Sequence, residues 1–173
     1  MSGSLTVSIK YVQVNDPSMS GIRIIGLRGG FTFDQAMDHF ESLGAEVALL
    51  DPDSVCGKDH LVSAYIHAER AFAEGRNRSK KIVTEMILYA AFERQIGRAL
   101  DAVRPRPGTD AVVAAIIGYD GDLQLEKLHA VEDPSLLAPS AEKARKLGVE
   151  LFDGVSPEDA VLEKVAFVDL MKQ

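Results

Sequence analysis

The chain has 173 residues, of which 46% are hydrophobic and 26% are charged, and its formal net charge is −7. This balance is typical of one folded domain over residues 1–173 and excludes an intrinsically disordered chain. No apolar run reaches the roughly 18 residues of a membrane span, residues 1–4 do not start a signal peptide, and Cys56 is alone. We therefore expect a soluble, cytoplasmic protein without a disulfide framework.

Two apolar runs near the start of the chain predict strands. Residues 5–14 alternate between apolar and polar side chains, and residues 22–27 form a second apolar run that ends before Gly29 and Gly30. Because the two runs are close in sequence, we expect them to pair antiparallel.

A helix and a third strand follow. Thr32 and Gln35 have the spacing of a capping box, so they predict the start of a helix over residues 32–43, and Gly44 predicts its end. The apolar run Glu46–Leu50 then predicts a short buried strand.

The central stretch, residues 58–104, predicts consecutive helices with a basic turn between the first two. The first helix covers residues 59–74, with Asp59 as its cap and Gly75 as its stop, and Ser79 is the expected cap of the second.

The second helix of this stretch is apolar on most sides over residues 82–91, which predicts a position at the centre of the fold. Nothing in the sequence requires a break between it and residues 94–103. That segment is also predicted to be helical, with four apolar residues turned inward: Ile96, Ala99, Leu100 and Val103.

Glu85 lies within the apolar second helix. A buried carboxyl group must be neutral or paired, and the expected partners are Arg94 or an arginine of the basic turn. We favour a structural ion pair that positions the turn over a catalytic carboxylate, since perturbed carboxylates are often structural.

The last third of the chain mixes strands and helices. Residues 111–117 predict a buried strand, and residues 123–131 fit either a short helix or an edge strand. A charged helix over residues 140–147 ends at Gly148, and the last helix covers residues 156–172. Its first residues are a serine cap and a proline, as helix starts favour.

This C-terminal helix carries apolar side chains on two faces. One face is an ordinary stripe, and Phe167, Leu170 and Met171 lie on a different face. The first set of residues is Val161, Leu162, Val165 and Val168. One face can cover the sheet of the same protein, so the other is predicted to bind a partner. The alternative is a helix buried entirely within its own fold.

The positive charge of the chain is concentrated. Residues 70–106 contain nine basic and four acidic residues, which gives +5 within a chain of net charge −7. Local electric fields steer polyanions, so this stretch is compatible with nucleic-acid binding although the net charge of the chain is negative. The alternative is a set of charges scattered over solvated helix faces.

Motifs of catalysis and metal binding are not apparent. His60 and His67 share a helix face, but no spacing supplies a third ligand, so we predict neither catalytic residues, nor a metal, nor a cofactor. A second hypothesis is a small-molecule or nucleotide-binding enzyme that uses Glu85 and His60 beside the basic turn, which requires a deep pocket at Glu85. A third is a structural subunit that never contacts RNA.

A group of short motifs in the central stretch is more specific. They are Gly57-Lys58-Asp59-His60-Leu61, Gly75-Arg76-Asn77-x-Ser79-Lys80-Lys81, Glu85-x-x-Leu88-Tyr89-Ala90 and Arg94-Gln95-Ile96. Together they resemble the small kinase-binding subunit of the KEOPS complex, the PRPK-binding protein family, and most closely its archaeal members. The resemblance departs at Ala91-Phe92, where archaeal relatives often carry a small residue and a glycine.

The resemblance implies an α/β fold, with a mixed or antiparallel sheet packed against helices and no catalytic activity of its own. It implies that the protein binds and stimulates the small atypical kinase-ATPase of KEOPS, which makes the threonylcarbamoyl modification beside the tRNA anticodon. Archaeal members also bind tRNA, chiefly at its 3′ CCA end, and the C-terminal region contacts the kinase.

The basic motifs and the apolar C-terminal helix, together with the resemblance, then predict two sets of binding residues. The RNA-binding set is Lys58, His60, Arg76, Asn77, Arg78, Lys80 and Lys81. The kinase-binding set is Val161, Val165, Phe167, Val168, Leu170 and Met171. The expected partners are thus a kinase and tRNA, and no membrane.

Overall fold

The structure, a computed structural model, describes residues 21–171. The strand predicted over residues 5–14, and its pairing with the next strand, lie outside the described residues. In chain order the helices and strands are β1 (Ile22–Gly29), α1 (Phe33–Ser42), β2 (Glu46–Leu50), α2 (Lys58–Ala73), α3 (Ile82–Ala90), α4 (Ile96–Val103), β3 (Ala111–Ile117), β4 (Ala130–Glu132), α5 (Ala141–Lys146) and α6 (Pro157–Met171). None of the helices in residues 21–171 is long and apolar enough to cross a membrane.

The strands of this region form one antiparallel sheet in the order β2-β3-β1-β4. Strand β3 lies between two neighbours, so Ala115 faces Ile24 on one side and Ala48 on the other. Every residue of β3 is buried, as the apolar run 111–117 predicted. The predicted fold class, an α/β fold with an antiparallel sheet packed against helices, is confirmed.

Helices cover both faces of the sheet. On one face, Val112 and Ile116 pack in a core that includes Phe40 of α1. On the other face, Val113 and Ala115 belong to a larger core. That core is completed by buried side chains of α2, α3 and α6, among them Leu61, Met86, Leu88, Tyr89, Val161 and Val165. Helix α3 is therefore a central helix, as its all-round apolar sequence predicted.

The local signals around α1 act as expected. The Thr32 hydroxyl accepts the Gln35 N–H at 3.1 Å, and the Gln35 side chain accepts the Thr32 N–H at 2.9 Å, which completes the capping box. Gly44 follows the helix with φ +88°, a conformation that favours glycine.

Two predicted helix caps are wrong. Helix α2 begins at Lys58 after Gly57, so Asp59 lies inside its first turn. Helix α3 begins at Ile82 after Lys81, and the Ser79 hydroxyl bonds Glu85 instead of capping the helix. The chain remains extended at Lys81, which puts Ser79 too early to cap.

A break separates α3 from α4, although nothing in the sequence required one. Phe92 has φ +57°, its N–H bonds the Tyr89 carbonyl, and the Glu93 N–H bonds the Leu88 carbonyl at 3.0 Å. These are the two bonds of a Schellman motif, in which glycine usually holds the Phe92 position. Burial of the Phe92 ring against His60 offsets the roughly 1 kcal/mol that a left-handed residue costs.

Burial on α4 differs from the prediction as well. Ala99 and Val103 are buried, whereas Ile96 and Leu100 are each 38% exposed. Because α4 has only eight residues, only a narrow stripe of it contacts the core.

The remaining expectations of the last third agree with the structure. Residues 123–131 contain both proposed elements, a 3-10 turn at Leu125–Leu128 and the edge strand β4. Ser140 caps α5, and the Ser156 hydroxyl accepts the Asp159 N–H at the start of α6.

Candidate functional site

The basic turn, residues 75–81, begins where α2 ends. Gly75 has φ +68°, its N–H bonds the Phe72 carbonyl at 3.2 Å, and the Arg76 N–H bonds the Ala71 carbonyl at 2.8 Å. This Schellman motif ends α2 where the glycine predicted and directs the chain back toward α3.

Glu85 holds the turn from inside. Its carboxylate is fully buried and accepts the Arg78 N–H at 2.8 Å, the Ser79 N–H at 2.9 Å and the Ser79 hydroxyl at 3.1 Å. Charge-assisted bonds to backbone N–H groups are strong and fix the loop geometry. Glu85 thus positions the turn through the backbone, while its predicted ion pair with Arg94 stays a prediction.

Three cations of the turn project outward. Arg78, Lys80 and Lys81 are exposed, and they lie directly before the first turn of α3. Asn77 is half-buried and donates from its side chain to the Ser79 carbonyl at 2.9 Å, which leaves it a role in shaping the loop.

Arg76 differs from these three because its guanidinium is turned toward the protein. It donates to Glu74 at 2.7 Å and to Asp169 of α6 at 3.2 Å. Both partners raise the pKa of Arg76 above its ordinary value. Arg76 therefore joins the turn to the C-terminal helix, a role that its position in a basic motif does not indicate.

Asp169 also receives bonds from α2 and α3. The Tyr89 hydroxyl donates to one carboxylate oxygen, and the His67 ring nitrogen Nδ1 lies 2.9 Å from the other. The two rings stack with centroids 5.4 Å apart. Partial burial works to raise the pKa of Asp169, but the bonds from Tyr89, His67 and Arg76 outweigh it and hold the pKa below the usual value.

His60 lies in the core, which corrects its place in the RNA-binding set. It is fully buried, its Nδ1 accepts the Cys56 N–H at 3.1 Å, and its Nε2 lies 2.9 Å from the Ala90 carbonyl. Since Nδ1 accepts, Nε2 carries the proton. Burial lowers the pKa of His60 to about 4, so the ring is neutral and joins α2 to the end of α3.

Lys58 is exposed, but it lies at the opposite end of α2 from the basic turn. A helix of 16 residues is about 24 Å long, so Lys58 belongs to a different part of the surface.

A cleft lies beside the basic turn, with a volume of about 490 Å³. It is lined by Arg78, Glu93, Arg94, Gln95, Arg98 and Met171. The cleft thus joins the turn, the break after α3, the start of α4 and the end of α6. Gln95 and Arg98 were absent from the predicted sites, although the basic character of residues 70–106 contained the signal for Arg98.

The two faces of α6 separate as its sequence predicted. Phe167, Leu170 and Met171 are 49%, 63% and 38% exposed. The other members of the predicted kinase-binding set, Val161, Val165 and Val168, are fully buried in the core. That part of the prediction is corrected, because residues that pack against α2 and α3 cannot form an outer surface.

The second hypothesis placed an enzyme site at Glu85 and His60. Both side chains are fully buried and bonded to backbone groups, and neither lines the cleft. The pocket beside Glu85 that the enzyme hypothesis requires is therefore not this cleft, half of whose lining residues are arginines.

Comparison with known families gives a match over much of the chain. The model of the family described as kinase binding protein CGI-121 matches residues 33–151, which is more than half of the chain. The matched range includes α1 to α5, the basic turn and most of the cleft lining, whereas α6 lies beyond it. No curated protein matches the chain.

Proposed function

The protein belongs to the CGI-121 family of kinase-binding proteins, and we propose that it serves in the cytoplasm as the non-catalytic regulatory subunit of a KEOPS-type complex. In this role it binds and activates the small kinase-ATPase of the complex and binds the tRNA that the complex modifies. One observation carries the proposal. An exposed basic turn and an exposed apolar helix end border the same cleft.

The basic turn supplies the features of a phosphate-binding surface. Arg78, Lys80 and Lys81 are exposed, and they precede the N-terminal end of α3, where the helix dipole favours anions. A chain of net charge −7 attracts a polyanion only where its cations are concentrated. We therefore assign contacts with the tRNA backbone to these three residues.

The cleft suits an unpaired nucleotide. Arg94 and Arg98 offer planar guanidinium groups that bind phosphate or stack on bases. Glu93 is the opposing charge in the lining and would hold the ligand in one orientation. The 3′ CCA end of tRNA is single-stranded and carries three nucleotides of this kind, so we place its terminus in the cleft.

Charge reversal at the turn tests the RNA assignment. Replacing Arg78, Lys80 and Lys81 with Glu should weaken tRNA binding by more than about a hundredfold at low salt and lower the salt slope by about 3. The control replaces three exposed cations elsewhere, Arg104, Lys127 and Arg145, with Glu, which changes the net charge equally. Equal losses in both variants would show that the turn has no special role.

The outer end of α6 supplies the kinase-binding surface. Phe167, Leu170 and Met171 form an apolar group on a helix whose opposite side is in the core. An aromatic and two aliphatic side chains on one helix face are suitable anchors for a groove on a partner.

Substitution on this face tests the kinase assignment. Leu170→Asp should weaken association with the small KEOPS kinase by about thirtyfold or more, since it introduces a charge at a buried contact. Phe152→Asp is the control, because Phe152 is 65% exposed but lies before the start of α6, on the order of 20 Å from Leu170 along the helix. Kinase affinity measured by calorimetry should distinguish them, and two unchanged affinities would remove α6 from the interface.

A further inference from the structure

Asp169 connects the two surfaces of the proposed function. Among the described residues, side chains from three elements donate to its carboxylate. They are His67 of α2, Tyr89 of α3 and Arg76 of the basic turn. Its neighbours in sequence are Leu170, which is 63% exposed, and Met171, which lines the cleft.

The position of this carboxylate is unusual for a helix. Asp169 lies in the last turn of α6, and the described part of that turn, up to Met171, has no basic residue. The helix dipole disfavours a negative charge at this end and favours a positive one. The bonds from Arg76, His67 and Tyr89 compensate for this unfavourable interaction with the dipole. These contacts, and not a preference of the helix, therefore explain why an aspartate occupies the position.

We propose that Asp169 is a positioning residue that couples kinase binding to RNA binding. The inference rests on the proposed function of the two surfaces. Asp169 belongs to neither surface but holds the last turn of α6 and the basic turn in one arrangement through Arg76.

The coupling has a simple physical route. A kinase bound to Phe167 and Leu170 restrains the last turn of α6 and therefore the carboxylate between them. The carboxylate restrains Arg76, whose backbone is part of the Schellman motif that starts the basic turn. RNA then binds a turn in which Arg76 is held more tightly than in the protein alone, so that binding costs less conformational entropy. By linkage, RNA must strengthen kinase binding by the same factor.

The test measures RNA affinity with and without the partner. The probe is an unmodified tRNA transcript ending in CCA, titrated into the protein alone and into the protein saturated with the small KEOPS kinase. The ratio of the two dissociation constants is the coupling factor. We expect about fivefold or more for the unchanged protein and a factor near one for Asp169→Asn.

Two further variants separate coupling from stability and charge. Tyr89→Phe retains the ring that stacks on His67 and removes one donor to Asp169, so it should give an intermediate factor. Asp38→Asn makes the same charge change on an exposed residue of α1, across the sheet, and should leave the factor unchanged. A lower melting temperature alone does not alter the ratio, since both titrations use the same folded protein.

The outcomes are distinct. An equal coupling factor in Asp169→Asn and the unchanged protein, with both partners bound, overturns the role of Asp169 but leaves the proposed function intact. A coupling factor near one in the unchanged protein also overturns the role of Asp169 and leaves the proposed function intact. Failure of the unchanged protein to bind tRNA or kinase overturns the proposed function and this inference together.

Discussion

The basic turn and the C-terminal helix end each have an inner and an outer half, but the chemistry of the inner halves differs. In the turn, the inner half is polar, with Glu85 and Ser79 buried and hydrogen-bonded. In α6, the inner half is apolar, with Val165 and Val168 in the core. The outer halves are cations in one case and apolar side chains in the other.

This difference shows how each surface is held in place. A polar interior is destabilised when one hydrogen-bond partner is removed and a buried donor is left without an acceptor. An apolar interior fails when a charge or a cavity is introduced. In both regions, inner substitutions should affect folding, and outer substitutions should affect only partner binding.

The largest contrast is expected on α6. Val165→Asp puts an unpaired carboxylate in the core and should cost more than about 4 kcal/mol of unfolding free energy, enough to prevent stable folding. Leu170 lies on the exposed side of the same helix, so Leu170→Asp should change the unfolding free energy by about 0.5 kcal/mol or less. Urea unfolding of the two variants measures the contrast, and similar losses would contradict the assignment of faces.

A smaller contrast is expected at the turn. Glu85→Ala leaves the Arg78 and Ser79 N–H groups without this acceptor and should cost about 3 kcal/mol. Lys80→Ala, on the outer side, should change the unfolding free energy by about 0.5 kcal/mol or less. If Glu85→Ala unfolds at the same urea concentration as the unchanged protein, the carboxylate does not hold the turn.

His60 gives the inner region a pH dependence. Its pKa is 6.5 in an unfolded chain and about 4 in the fold, so the unfolded chain binds more protons between these values. Stability is therefore fully present above pH 6.5 and falls as the pH drops toward 4, by up to about 3 kcal/mol. A His60→Gln variant lacks this titration, so its unfolding free energy should fall less over the same range. Parallel pH profiles would contradict a buried neutral imidazole.

The smallest effect is expected at the cleft. Arg98→Ala removes one guanidinium from the lining and should weaken tRNA binding about fivefold while lowering the salt slope by about 1. For a transcript without its CCA end, Arg98→Ala should not change the affinity, because the cleft then has no terminal nucleotide to contact. An equal loss with both transcripts would place the RNA end elsewhere.

The sequence predicted what depends on neighbours a few residues apart. The capping box of Thr32 and Gln35 and the stop at Gly75 concern bonds within one turn of chain. The two faces of α6 also followed from sequence, since helical periodicity decides which side chains share a face. What periodicity cannot decide is which of the two faces is covered by the rest of the fold.

Long-range partners account for the wrong predictions. His60 is internal because its ring bonds the Ala90 carbonyl, 30 residues later, and Arg76 turns inward because it bonds Asp169, 93 residues later. The break at Phe92 likewise depends on packing against His60, since no glycine marks it. The cleft was missed because its lining comes from three separate segments, at residue 78, residues 93–98 and residue 171.

The central claim is that two separate outer surfaces bind two different partners. The most direct measurement titrates each defective variant with the partner that it should still bind. Leu170→Asp should bind the tRNA transcript as tightly as the unchanged protein, and the variant with Glu at Arg78, Lys80 and Lys81 should bind the kinase as tightly. If each variant instead loses both partners while remaining folded, the two surfaces are not separate and the account is wrong.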